Sequence, residues 1–463
     1  MVCHRDGIAG SFLGRLVSGD AAIVSDTAKD IRLAPSDRAS NMRTYTLIML
    51  MIAYVFNFVD RQILAILLEP IRQDLHFSDS ALGFLTGFGF ALFYVSLGIP
   101  LARWADRGNR RDIVALSLAV WSGMTAITGF VQSFWQLAAA RIGVGVGEAG
   151  CSPAAHSMIA SLYPQKERSA AMAVYALGVP LGVLVGFLVG GWANELFGWR
   201  VAFFTVGVPG IILAVLIRLT VSEPPRQANA QAEQPLQKAS LSAVIRHLAS
   251  MPSFVHLAIG GSLAAFVGYA ILSWMPSFLM RTHDMSTGDI GVTLGLIMGI
   301  AGGIGIMAGG RLADLLGKDD ARWYLWIVAI AISVAFPFYF GVYFWPNAGG
   351  ALWFLVIPVA LGNFYQATTF AQTQSLAPVE MRATAAAILL FILNVVGLGL
   401  GPQAVGIVSD LLRPRFGEDS LRYSLMIFSV VAVWSAYHYY RAGKFLPADL
   451  ARMSEDAGAA PPR

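Results

Sequence analysis

LIMLMIAYVFNFVDRQILAILL, residues Leu47–Leu68, is an apolar run interrupted only by Asn57, the pair Asp60–Arg61 and Gln62. About 20 mostly apolar helical residues cross the hydrocarbon core of a bilayer, so this run is long enough to span one. Carried outward, the same reading gives twelve such stretches: 44–68, 80–104, 112–131, 134–162, 168–194, 199–220, 253–279, 286–312, 322–344, 351–377, 383–410 and 420–441. Composition agrees. Hydrophobic residues make up 56% of the chain and charged residues 13%, too little charge to cover a soluble surface of this size. An all-α membrane protein of twelve transmembrane helices is expected.

The polar run from Ser222 to Lys238 divides the spans six and six and reads as a flexible linker. The expected domains are an N-terminal tail (1–43), a six-helix bundle (44–221), a linker (222–252), a second six-helix bundle (253–443) and a C-terminal tail (444–463). Residues 1–43 lack a continuous apolar core followed by a small-residue cleavage site, so they read as a tail and not as a signal peptide. Basic residues follow the second span (Arg103, Arg107, Arg110, Arg111) and the fourth (Lys166, Arg168). They recur in the linker (Arg226, Lys238, Arg246) and around the turn after the eighth span (Arg311, Lys318, Arg322). Loops Gln132–Ser133 and Pro346–Gly350 carry none, which places both termini in the cytoplasm. Arg413, Arg415 and Arg422 run against the pattern, late in the chain. Two cysteines, Cys3 and Cys151, build neither a disulfide framework nor a metal site.

The halves are related. Ser161-Leu-Tyr-Pro164 leads to Arg168 as Ser375-Leu-Ala-Pro378 leads to Arg382, and Asp106-Arg107-Gly108 after the second span echoes Gly310-Arg-Leu-Ala-Asp314 after the eighth. Two correspondences at equivalent places indicate a duplicated six-helix unit, the plan of transporters that bind substrate at the repeat interface.

These loop motifs resemble the signature of the major facilitator superfamily, with Gly310 in its leading position and Ala102 in that place in the first copy. Val59-Asp60-Arg61, Asp106-Arg107-Gly108-Asn109-Arg110-Arg111, Arg141-Ile-Gly-Val-Gly-Val-Gly-Glu148, Gly198-Trp199-Arg200 and Ser222-Glu223-Pro224-Pro225-Arg226 together resemble the Spinster family. The resemblance implies two pseudo-symmetric six-helix bundles of the major facilitator fold, working by alternating access as a monomer. Animal Spinster proteins are associated with sphingosine phosphate export and lysosomal lysophospholipid release, so an amphiphilic lipid is the substrate class implied, carried across a bacterial inner membrane.

Charge at mid-membrane costs about 2.5–3.5 kcal/mol per residue, yet Asp60 and Arg61 lie inside the first span and Arg141 and Glu148 inside the fourth. Asp60 falls about 12 Å and Arg141 about 10 Å below the outer end of their helices, with Glu148 two turns deeper. Asp60 and Glu148 are expected to couple transport to protons. Arg61 and Arg141 complete an ion-pair network whose guanidinium forks could take an anionic headgroup. The alternative is a brace that only fixes helix packing. His156, two turns further on, reads as a packing histidine or a relay.

The residues Asp106, Arg107, Arg110, Arg311 and Asp314 are expected to form a cytoplasmic gate. Glycines 178, 182, 186 and 190 are spaced for close helix approach. In the second half, Tyr269, Trp274, Asn363, Tyr365, Gln366, Phe370 and Asn394 are candidate cavity lining, an uncharged wall facing the charged half. No nucleophile with its base, no metal cluster and no phosphate-cradling loop is present, so an enzyme, a resident cofactor, an ATP-driven pump and a nucleic-acid partner are not expected. Within transport, a small organic anion carried with protons is the rival substrate.

Overall fold

The computed structural model describes residues 35–225 and 240–456, all of whose regular structure is helical. Of the chain's two compact units, Met1–Thr44 and Tyr45–Arg463, the second carries the membrane passes. In the first half the passes are α1 (Pro35–Leu75), α2 (Asp79–Thr86) with α3 (Phe88–Arg107), α4 (Arg110–Thr128), α5 (Phe134–Leu162), α6 (Gln165–Ala176) with α7 (Gly178–Phe197), and α8 (Trp199–Thr220). A short helix, α9 (Leu241–Ala249), precedes the second half. There the passes are α10 (Pro252–His283), α11 (Thr287–Leu296) with α12 (Gly302–Gly317), α13 (Trp323–Phe344), α14 (Ala348–Gly362) with α15 (Tyr365–Ser375), α16 (Arg382–Leu393) with α17 (Gly401–Phe416), and α18 (Ser420–Ser429) with α19 (Val431–Asp456). Twelve passes return the chain to the side on which it began, here termed the terminal face; the opposite side is the far face.

Polar side chains start the helices where the sequence supplies them. Ser78, Asn109, Ser133, Ser240, Ser286 and Asn347 each accept a first-turn N–H of the following helix. Gly198, at φ 83°, makes the sharp turn between α7 and α8 that a side chain would resist. The helices overrun the apolar stretches: α1 continues to Leu75, α10 to His283 and α19 to Asp456. Residues 444–456, expected as tail, are therefore helical, and Asp449 accepts the N–H of Ser253 at the start of α10 at 2.9 Å. Residues 1–34, the middle of the expected linker (226–239) and 457–463 lie outside the described residues.

The glycine stripe sits where its spacing points. Gly178, Gly182, Gly186 and Gly190 of α7 face α1; a methyl on Gly182 would come within 2.6 Å of the Val55 carbonyl oxygen, and one on Gly186 within 3.0 Å of Val59 Cα. Such contact distances leave room for backbone against backbone only. The next glycine, Gly191, turns to the other half and meets Thr287 and Gly291 of α11. Across the molecule Gly83 and Gly87 approach the carbonyls of Pro402 and Gly399 within 2.6 Å of where a methyl would sit. Two glycine-lined crossings, α7 on α11 and α2 on α17, thus hold the halves together.

Candidate functional site

Glycines 143, 145 and 147 clear the surface of α5 for its neighbours: methyls there would strike Met124, the Phe90 carbonyl and the Trp121 backbone. The close approach brings α3 and α4 against the segment that carries Arg141 and Glu148. α1 and α5 run antiparallel, and helical side chains lean toward their own N-termini. Arg61 therefore leans toward the terminal face and Glu148 toward the far face, and they meet: Arg61 Nε and Nη2 both donate to Glu148 Oε2, at 2.8 and 2.7 Å.

Glu148 is 1% exposed, with Asn57 as its polar neighbour besides Arg61. The Arg61 side chain keeps 13% exposure. Aromatic faces surround it, with Cζ 5.3 Å from the Phe58 centroid, 5.1 Å from Phe90 and 4.9 Å from Tyr94. Each such contact contributes about 0.5–2 kcal/mol. From the second half, Tyr269 lies within electrostatic reach of the guanidinium. One cation, fixed by a single carboxylate oxygen, is thus surrounded by aromatic side chains.

Asp60 and Arg141 belong to the same buried neighbourhood but are not paired. Asp60 has the Thr125 hydroxyl as its polar neighbour and no arginine in ion-pair contact, and Arg141 Nε lacks a hydrogen-bond partner. Arg141 lies over Phe90, 5.3 Å from its centroid. Of the four expected charges, then, the structure joins Arg61 to Glu148 directly and leaves Asp60 and Arg141 as unpaired neighbours. His156 is exposed, with its ring edge against Tyr175 at 5.3 Å.

The expected gate residues lie at the terminal face. Arg110 is buried and tied within its own half, donating to Glu223 (2.7 Å), the Pro224 carbonyl (2.6 Å) and the hydroxyls of Ser157 and Ser161. Arg107, Arg311 and Asp314 are exposed and form no ion pair among the described residues. The side chain of Asp106 lies outside them. In the expected lining, Trp274 is fully buried and donates its indole N–H to the Pro402 carbonyl at 2.9 Å, which makes it a packing residue between α10 and α17. Asn363 and Asn394 donate to carbonyls of their own helices, Gln366 donates to Asn363, Tyr365 is buried, and Phe370 packs half-buried on the core.

A second ionic cluster, at the far face, was not anticipated from the sequence. Arg281 of α10, its side chain 3% exposed, donates to both oxygens of Asp79 (2.7 and 2.8 Å) and to Glu69 (2.6 Å). Ser409 donates to Asp79 at 2.6 Å, and Arg72 bridges Glu69 (2.7 Å) and Glu418 (3.1 Å). Beside it each half caps a helix of the other. Asp410 accepts the N–H groups of Asp79 and Ser80 at the start of α2, at 3.0 and 2.8 Å. Glu195 accepts the Gly288 N–H and the Ser286 hydroxyl at the start of α11, at 2.7 and 3.0 Å. Asn194 to Thr287 (3.0 Å) and Gln403 to the Ser80 carbonyl (3.2 Å) add further hydrogen bonds between the halves at this face.

The family model of the Major Facilitator Superfamily matches residues 50–402. A solved structure of a bacterial homolog to the human lysosomal transporter Spinster, inward-facing and unoccupied, superposes with a TM-score of 0.82 at 31% identity, covering 88% of this chain and 98% of that one. This chain belongs to the Spinster branch of the major facilitator superfamily. The fold is accordingly the twelve-helix major facilitator fold in two six-helix bundles, and the protein is a membrane transporter and not an enzyme. Two curated members are similar along most of their length. An MFS-type efflux pump of Mycolicibacterium smegmatis is 37% identical over 414 residues (88% of this chain, 95% of the relative), and human Protein spinster homolog 1 is 27% identical over 435 residues (88% and 82%).

Proposed function

We propose that this Spinster-type transporter exports an amphiphilic lipid, of the sphingosine phosphate or lysophospholipid class, by proton-linked alternating access. The observation that carries the proposal is Arg61: a guanidinium held through one Glu148 oxygen, ringed by aromatic faces and looking across to the uncharged second half. It suits an anionic headgroup, which would compete with Glu148 for the same N–H donors. Asp60 and Glu148 are the proposed proton-coupling pair. A buried carboxyl without an ion-pair partner is far less costly neutral than ionised, so proton uptake and ion pairing at Glu148 are alternatives between which states can be divided. The similarity to an efflux pump and to Spinster proteins supports export of a molecule that partitions into lipid.

The basic loops support both termini lying in the cytoplasm of a bacterial inner membrane, with bundles at 44–221 and 253–443 joined by the linker 222–252. The conformation is then inward-facing, shut on the outside by the far-face cluster. Asp106, Arg107, Arg110, Arg311 and Asp314 form the cytoplasmic gate of the opposite state, and the working unit is a monomer.

The test is transport in proteoliposomes under an imposed pH gradient, with labelled sphingosine phosphate or lysophospholipid beside an aromatic carboxylate, in wild type and Glu148→Gln. Lipid movement that follows the gradient and loses that dependence in the variant agrees with the proposal. Movement of the carboxylate alone transfers the site to small organic anions.

A further inference from the structure

We infer that the terminal-face end of the second half carries a built seat for one acyl chain of a bilayer phospholipid, between the linker helix α9 and the spanning helices α10 and α16. The groove has a volume of about 400 Å³ and walls of Ile245 and Leu248 from α9, Val255 and Ile259 from α10, and Ile388 and Ile392 from α16. Its one polar wall residue, Ser262, has its hydroxyl committed to the Ala258 carbonyl at 2.7 Å. Water entering it would find no group needing a hydrogen bond, and a site with no polar partners does not hold water. Two of its three walls are helices that cross the membrane, so hydrocarbon, not solvent, is what lies beside it.

The third wall fixes where the chain's head would be. α9 buries Val244 and Leu248 against the bundle and leaves Leu241 and Ile245 exposed, the pattern of a helix lying in the membrane interface. The mouth of the groove therefore falls at headgroup level. Arg246, near the end of α9, and Arg382, the first residue of α16, are exposed there, and neither forms an ion pair among the described residues. Arg382 spends its Nε on the Ala377 carbonyl at 3.2 Å, and two guanidinium groups without a carboxylate partner beside an apolar slot complement a phosphate above a hydrocarbon tail. This combination selects a phospholipid over an apolar protein segment, which would bring no anion to the rim. The seat is separate from the Arg61 site and does not depend on the transported molecule.

The experiment uses the full chain in nanodiscs of phosphatidylethanolamine and phosphatidylglycerol, with a small fraction of phosphatidylglycerol bearing a diazirine midway along one chain. After irradiation and digestion, label should concentrate in peptides covering 241–263 and 382–396, above the lipid-facing peptide of α13. Val255→Trp, at an exposed position in the wall, and Ile388→Trp, from the opposite wall, should each lower groove labelling about tenfold, the effect of losing roughly two buried methylenes. Labelling of α13 should stay constant and serves as the control for folding. Even labelling of all lipid-facing helices, or groove labelling that neither tryptophan lowers, would overturn the seat as mere annular lipid. Unlabelled groove peptides in wild type would also overturn it, as the sign that residues 226–239 cover the slot.

Discussion

Replacing Arg281 with methionine should open the far face. The substitution keeps most of the side-chain volume and removes three charge-assisted hydrogen bonds of 2.6–2.8 Å. Glu69 retains Arg72 as a partner, whereas Asp79 retains only the Ser409 hydroxyl and stays fully buried. Removing one partner of a buried pair costs about 3–5 kcal/mol, and because Glu69 is still paired the lower end applies. The penalty falls on the state in which the halves meet, since parting them returns Asp79 to water. The equilibrium should shift by about 3 kcal/mol, or roughly 150-fold, toward far-face opening. Spin labels on Gln132 and Pro346, exposed on far-face loops of opposite halves, would read it as a longer-distance population in pulsed dipolar spectra. The background chain carries Cys3→Ser, and its remaining cysteine, Cys151, is buried. An unchanged distance distribution, with the protein still folded, would refute the reasoning that this cluster holds the halves together.

Other outcomes are equally specific. Glu148→Gln should keep a hydrogen bond to Arg61 while removing the ion pair, and transport should become insensitive to an imposed pH gradient; retention of the full dependence removes Glu148 from coupling. Gly182→Ala should lower thermal stability in detergent by about 1–3 kcal/mol, because the methyl meets the Val55 carbonyl and Phe58. Gly98→Ala, with nothing within 4 Å, should leave the melting temperature unchanged. Asp106→Asn should change the ratio of inward- to outward-facing molecules while substrate affinity measured in one trapped state holds; a loss confined to affinity would contradict its place in the gate.

The passes were legible because hydrocarbon demands an unbroken apolar length, and the expected stretches fall on the observed helices from 44–68 on α1 to 420–441 on α18 and α19. Arg61 and Glu148 were legible because charge inside such a stretch is conspicuous. Their direct pairing was not, since depth counted along Cα positions put Glu148 two turns from Arg141's level and ignored the opposed lean of side chains on antiparallel helices. The far-face cluster escaped for a different reason. Glu69 lies one residue beyond the first apolar stretch, Asp79 one before the second and Arg281 two beyond the seventh, so each reads as an ordinary interfacial charge. Only the overrun of α1 and α10, and the crossing of α2 with α17, turn three edge charges into one buried group.

The exchanged caps at the far face make solvent a participant in the transport cycle. When the halves part, Asp410 and Glu195 and the N–H groups of Asp79, Ser80 and Gly288 all lose their partners at once. None can be left bare, so opening must draw additional water in between the halves. A solute too large to follow that water raises the free energy of the hydrated form, and sucrose or a similar excluded osmolyte should bias the transporter toward the far-closed state. The rate of the cycle would then respond to osmotic pressure on one side of the membrane, through backbone groups that no side-chain substitution removes.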